Sequence, residues 1–347
     1  MGSRIVSART VLAVNLVACL LSFTANGANG KEVGPAGHAP IGVMGDHTHM
    51  KGGLMFSYRY MRMGMNGLRD DDERISRSRV LDDFLVTPTR MDMEMHMIGA
   101  MYAPIDRLTL TLMLPWVRLD MEHRTRMGGT FSTSSEGLGD IRASALVDLW
   151  KVEGHSIHAN LGLSFPTGSL TEVGRTPLSA GTKVRLPYPM QVGSGSYDFL
   201  PGLTYRGELD AFSWGAQAKG EIRMNDNHAD YRLGNEYALT AWSAYTINRW
   251  VSASFRFEWQ HALNIRGRDS SIATSGMGVP LVPTADPGRR AFMRLDALAG
   301  LNFAVPTGVL QGVRFAVEAG LPAYQRLDGP GLETDWLVTV GVQYAFH

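Results

Sequence analysis

Cysteine is almost missing from this chain: Cys19 is the only one in 347 residues. A single thiol excludes an intrachain disulfide framework and every metal or redox motif that needs two cysteines. Charge of one sign is also missing, because 33 basic residues balance 33 acidic ones. Without a basic stripe, no nucleic-acid partner is expected. Beyond residue 30 no apolar run approaches the ~18 residues that mark a transmembrane helix. A secreted chain with these absences either is soluble beyond the inner membrane or crosses a membrane with strands.

The N-terminus reads MGSRIVSARTVLAVNLVACLLSFTANGANG. Arg4 and Arg9 form a basic region, Val11 to Ala25 an apolar core, and small residues follow at Ala25-Asn26-Gly27 and Ala28-Asn29-Gly30. This is a secretory signal peptide over residues 1–30, with cleavage near 27–30. Leu16-Val17-Ala18-Cys19 has the form of a lipobox, but Leu20, Leu21 and Phe23 continue the apolar core past it, which favours removal over lipidation at Cys19.

Residues 91–97 read MDMEMHM. A helix would spread that alternation around its circumference, whereas a strand, with a side-chain period of two, sends methionines to one face and Asp92, Glu94 and His96 to the other. Alternating segments of this kind recur near 54–63, 90–103, 107–120, 139–151, 155–166, 196–206, 211–224, 235–246, 249–264, 291–305, 312–322 and 335–346. The connections between them alternate long and short, from the long stretches at 64–89 and 121–138 to turns such as 104–106 and 152–154. Sorting by parity is the layout of an outer-membrane barrel, with long loops outside and tight turns at the periplasmic rim. A soluble sandwich has no reason to sort its loops this way. The fold class expected is therefore all-β: a transmembrane antiparallel up-and-down β-barrel of about twelve strands over 54–347. The chain ends in alternating apolar residues with Phe346 next to last, so the final strand closes the cylinder. Residues 31–53 precede it as a Met/His-containing periplasmic leader or plug.

Three stretches carry a resemblance to a known family: GLGD (137–140) opening EGLGDIRASALVDLW, SFPTGS (164–169), and GSGSYDFLPGLTY (193–205). Their order and spacing resemble a family of Gram-negative outer-membrane proteins named for the meta pathway of phenol degradation, over roughly residues 135–347. Upstream, APIGVMGDHTHMKGGLMFSYRYMRM (39–63) is similar to the N-terminal signature of a Met/His-rich subgroup. The resemblance implies a barrel that passes small molecules in the outer membrane, aromatic or hydrophobic compounds among them. The family name records an operon association rather than a solute.

Lipid tolerates methionine and rejects charge, so the strand at 91–97 is expected to turn its methionines outward and Asp92, Glu94 and His96 into the lumen. The other expected lining residues are Arg59, Arg142, Arg256, Glu258, Arg294 and Asp296, with Lys219, Glu221, Arg223, Arg314 and Glu318 on the same faces. They would form a hydrated passage, brace the wall by cross-strand ion pairs, or do both. The partners of such a protein are outer-membrane lipid and a small solute, and it needs no cofactor. A second reading takes Met44, His47, His49 and Met50 as copper ligands, since thioether and imidazole suit Cu(I) and imidazole with carboxylate suits Cu(II) or Zn. A third would make the barrel a lipid hydrolase using His158 with Ser164 or His261 with Asn264, but neither pair has the His-x-Ser-Asn-Gly context of such enzymes.

Overall fold

The structure, a computed structural model, describes residues 35–274, 280–308 and 310–346. The signal peptide expected over 1–30 and Cys19 lie outside the described residues. Among the described residues no helix is long and apolar enough to cross a membrane. Eleven strands form one closed antiparallel ring. They are β1 Leu54–Asp71, β2 Val86–Ile105, β3 Leu108–Thr125 and β4 Ile141–Val152; β5 His155–Phe165, β6 Asp198–Leu209, β7 Phe212–Arg223 and β8 Glu236–Thr246; and β9 Val251–Ala262, β10 Phe292–Ala304 and β11 Val313–Phe346. Each pairs with the next in sequence, and β11 also pairs with β1, which closes the wall. Closure leaves no unpaired sheet edge in the apolar layer, where a bare backbone group has no partner.

The last strand differs from expectation. It is a continuous element of 34 residues, yet its register runs from Arg314 to Leu327 along β10 and from Leu327 to Phe346 along β1. It therefore doubles back near Gly329, which has φ of 89°, and supplies two of the twelve passes through the wall. The two segments expected near 312–322 and 335–346 are its limbs.

Three strands also outrun the sequence expectation: β1, β2 and β3 have 18, 20 and 18 residues, about twice the ~9–11 that a membrane crossing needs. Their outer halves project beyond the apolar band. Much of the loop expected at 64–89 is thus strand, together with the short helix Arg77–Asp83 capped by the Ser76 hydroxyl. Within the expected loop 121–138, Thr130–Leu138 pairs with outer β3. The alternation persists there, but the apolar side chains Met91, Val117, Leu119 and Met121 are buried inside and the charged Asp92, Arg118 and Asp120 lie on the other face, the reverse of a lipid-facing strand.

Apolar side chains cover the wall on the outside: Phe56, Tyr58, Leu110, Leu112, Trp116, Leu161, Leu239, Phe255, Phe257 and Val340 are exposed. Inside, small residues make room for large ones across the ladder. Gly215 faces Trp242, and a Cβ on Gly215 would stand 2.3 Å from the Trp242 ring. That ring is buried against Ala39 and Val43 of the segment before β1.

Candidate functional site: the barrel interior

Cross-strand partners share a face of the sheet, so one fixed point sets the parity of a whole hairpin. Arg59 supplies it: its Nε donates inward to Ile41 O at 3.1 Å. The β1–β2 register pairs Arg59 with Met97, Met61 with Met95, and Met63 with Met93. These methionines consequently face the interior. Tyr60 pairs with His96, Arg62 with Glu94, and Gly64 with Asp92, which puts Asp92, Glu94 and His96 on the outer surface. The expectation that these three line the lumen while the methionines meet lipid is reversed.

The error lay in treating every strand residue as membrane-embedded. His96 pairs with the exposed Trp116 on β3, at the level of the aromatic girdle, and its Nδ1 shares a 2.7 Å hydrogen bond with Tyr58. Above that level the outer face carries paired charges: Arg62–Asp92 at 3.2 Å, Arg90–Asp92 at 2.9 Å and Arg118–Asp120 at 2.8 Å. Charge there sits beyond the hydrocarbon and is not penalised as it would be at the midplane. A labelling experiment checks this parity in a Cys19→Ser background. Glu94→Cys is expected to react with a membrane-impermeant maleimide in whole cells, and Met95→Cys to react much more slowly. The opposite pattern would return the methionines to the lipid face.

Residues 35–53 run inside the ring, and their main chain is held by side chains from many strands. Pro35 O accepts from Ser252 at 3.0 Å and Ala36 O from Ser213 at 2.5 Å. Gly37 O accepts from Arg206. Further on, Ala39 O accepts from Arg314 at 2.5 Å, Met44 O from Gln217 at 3.1 Å, and Gly45 O from His158 Nε2 at 2.8 Å. In the other direction Gly42 N donates to Glu318 at 2.8 Å and His49 N to Thr109 at 2.9 Å. Ile41, Val43 and Ala39 are buried. Gly42 is the closest approach: a Cβ there would lie 2.5 Å from Arg256 Nη2.

The wall behind this segment is an ion-pair lattice. Arg256 reaches Glu318 at 2.6 Å and Glu258 at 2.8 Å. Arg294 meets Asp296 at 2.9 Å, Arg142 meets Glu221 at 3.0 Å, and Arg223 meets Asp198 at 2.6 Å. Arg59, Arg142, Arg256, Glu258, Arg294 and Asp296 thus all lie on inward faces.

At the far end the loops after β5, β7 and β9 fold over the opening. Leu170, Tyr188, Tyr231, Ile265, Ile272 and Val282 form an apolar cap, cross-braced by Arg185–Asp269 at 3.3 Å. Burial in that cap pushes the Tyr231 hydroxyl up to about 12. Leu186 and Met190 reach down from the cap onto Met91, Val117, Leu119 and Met121 of the inner wall.

Between cap and inner segment lies a cavity of about 380 Å³. Met61, Met63, Met93, Met95 and Met113 of β1 to β3 line one side, and Lys219, Glu221, Arg256 and Glu258 of β7 and β9 the other; Arg142, paired with Met113, and Arg294, 3.5 Å from Met63 Sδ, stand between them. Gly42, Met44 and Gly45 form its floor. Met61 and Met63 follow from the alternation of the first strand, in which Phe56, Tyr58 and Tyr60 take the lipid face; Met93 and Met95, expected toward lipid, are the part of the lining that sequence reading missed. Only the pairing of the two strands shows that they share the inner face.

The four expected copper ligands do not assemble. Met50 is 72% exposed and Met44 turns to the cavity, while His47 and His49 stand with ring centroids 4.8 Å apart. Neither expected hydrolase pair forms a dyad. His158 is bonded to Gly45 O and Ser164 is six residues along the same strand, roughly 20 Å away. His261 Nδ1 bonds Phe292 O at 3.1 Å, and Asn264 Oδ1 accepts from Arg290 N at 2.7 Å.

Comparison with known proteins agrees with this architecture. An outer-membrane channel from Pseudomonas putida F1 superposes with a TM-score of 0.58 at 11% identity, covering 88% of this chain and 99% of that one. The transport unit of the autotransporter AIDA-I from Escherichia coli gives 0.49 at 9% identity, covering 88% and 93%. The KdgM porin gives 0.38 at 13% identity, covering 84% and 99%. No curated protein sequence matches. The fold is that of an outer-membrane β-barrel. A family model matches residues 96–307, more than half of the chain, and the protein accordingly belongs to the family described as "Putative MetA-pathway of phenol degradation".

Proposed function

We propose that this protein is an outer-membrane channel for small molecules, occluded at rest by residues 35–53 and opened when that segment moves. The observation that carries the reading is the two-sided cavity on the barrel axis, thioethers facing guanidinium, ammonium and carboxylate groups across it. Such a chamber suits a solute with an apolar body and a charged or hydrogen-bonding end. Methionine is unbranched and polarizable, adapts to irregular apolar shapes and makes favourable contacts with aromatic rings. The opposite wall offers Lys219, for which no ion-pair partner appears among the described residues, beside the ion-paired Arg256. An aromatic carboxylate matches both sides.

Uptake into liposomes tests the reading. Liposomes holding the variant that lacks residues 35–50 are expected to take up 4-hydroxybenzoate faster than an aliphatic carboxylate of similar size. Replacing Met61, Met93 and Met95 together by serine is expected to remove most of that preference while leaving the barrel folded. Uptake no faster than in protein-free liposomes would end the channel reading. Uptake without aromatic preference would keep the channel and discard the solute class.

A further inference from the structure

Inside the barrel, His38, Asp46 and His47 come together so that one donor atom of each lies within 4.8 Å of the other two. Asp46 Oδ1 accepts a hydrogen bond from His47 Nδ1 at 2.8 Å, and Oδ2 accepts from Ala39 N at 3.0 Å. With its proton held on Nδ1, His47 presents a bare lone pair on Nε2. That Nε2 is buried without a hydrogen-bond partner, and so is His38 Nδ1. The two rings stand edge to face with centroids 4.9 Å apart. A buried polar atom that gives up water and gains nothing in return is costly, and native structures contain few of them. Two such nitrogens on neighbouring rings, one ring backed by a carboxylate on its other nitrogen, have the arrangement found behind metal-bound histidines.

We propose that His38 Nδ1 and His47 Nε2 bind one late first-row transition cation, Cu²⁺ or Zn²⁺, with Asp46 orienting His47 from behind. The donor set is imidazole with a nearby carboxylate, which suits both ions and favours copper by the general affinity order. Metal–nitrogen bonds of ~2.0–2.1 Å require the donors to close up by small rotations of the rings. The groups facing the cluster from the wall are Arg59, Arg206, Arg314 and His158, each donating to a carbonyl of the inner segment. Their guanidinium charges oppose a cation and the Asp46 charge favours it, so the bonds to two imidazoles decide. Gly45, adjacent to Asp46, borders the cavity, which gives access to an ion and to completing water. The site replaces the sequence-based set, keeping His47, dropping Met44, His49 and Met50, and adding His38 and Asp46. It does not depend on the barrel conducting any solute.

The test uses tag-free mature protein in detergent, stripped with chelator and titrated separately with Cu²⁺ and Zn²⁺. One equivalent per chain is expected at micromolar free metal in at least one arm. His38→Gln and His47→Gln are each expected to weaken binding at least 100-fold, and Asp46→Asn about 10–100-fold. His228→Gln, in an exposed loop, should bind like the parent. Electron paramagnetic resonance of the copper-loaded parent should show coupling to imidazole nitrogen, a readout that survives even if a variant fails to fold. No stoichiometric uptake of either ion, a copper spectrum without nitrogen coupling, or unchanged binding by a folded double variant would overturn the site.

Discussion

Deleting residues 35–50 is expected to raise single-channel conductance by about an order of magnitude, since a ring of twelve passes is wider than the eight-stranded barrels that side chains alone can fill. The full chain should conduct poorly in the same planar bilayers. The segment closes the interior with its main chain: carbonyls from Pro35 to Gly45 accept from Ser252, Ser213, Arg206, Arg314, Gln217 and His158. Each such bond nets only about 1 kcal/mol, whereas ordering each backbone residue costs roughly 1–2 kcal/mol. The seat is therefore held without being permanent, as a movable closure requires. Equal conductance of the two forms would mean that the cap, not this segment, is the barrier.

Arg256→Ala is expected to destabilise the barrel by about 3–5 kcal/mol, the cost of breaking a buried ion pair by removing one partner. Arg256 serves two carboxylates, Glu318 at 2.6 Å and Glu258 at 2.8 Å, and the Glu318 side chain is only 1% exposed. Truncation leaves both buried and also loosens Glu318, which holds Gly42 N at 2.8 Å. Urea unfolding in lipid vesicles, followed by tryptophan fluorescence, reads the change. Arg118→Ala is the contrast: its pair with Asp120 has side chains 55% and 45% exposed, and such surface pairs contribute ~0–1 kcal/mol. Equal losses in the two variants would show that the inner lattice is solvated like the outer one.

The barrel itself was legible because its physics is periodic. Strands such as β9, with Phe255 and Phe257 outward and Arg256 and Glu258 inward, announce both faces in the sequence, and the parity of the loops announces the topology. What was not legible depended on long-range register. The segment 91–97 alternates perfectly whichever way it faces, and only its pairing with Arg59 through Met97 settles the direction. The length of β2 was equally hidden, because beyond the hydrocarbon its methionines turn inward and its charges outward, the reverse of a lipid-facing strand. The metal cluster needed the fold of the inner segment: His38 is nine residues from His47, and no spacing rule joins them until the chain turns at Gly45, with φ of 66°.

The seating of residues 35–53 has a consequence for the order of assembly. Gly42 is fastened to Glu318, 276 positions later, and Ala39 to Arg314, 275 positions later. Those anchors belong to the strand that completes the cylinder. The inner segment must wait, unfastened, until the strand that completes the wall has inserted. Contacts of such sequence separation form slowly, so a newly inserted molecule passes through an interval in which the wall is closed and the passage is open. Occlusion is then the final event of biogenesis.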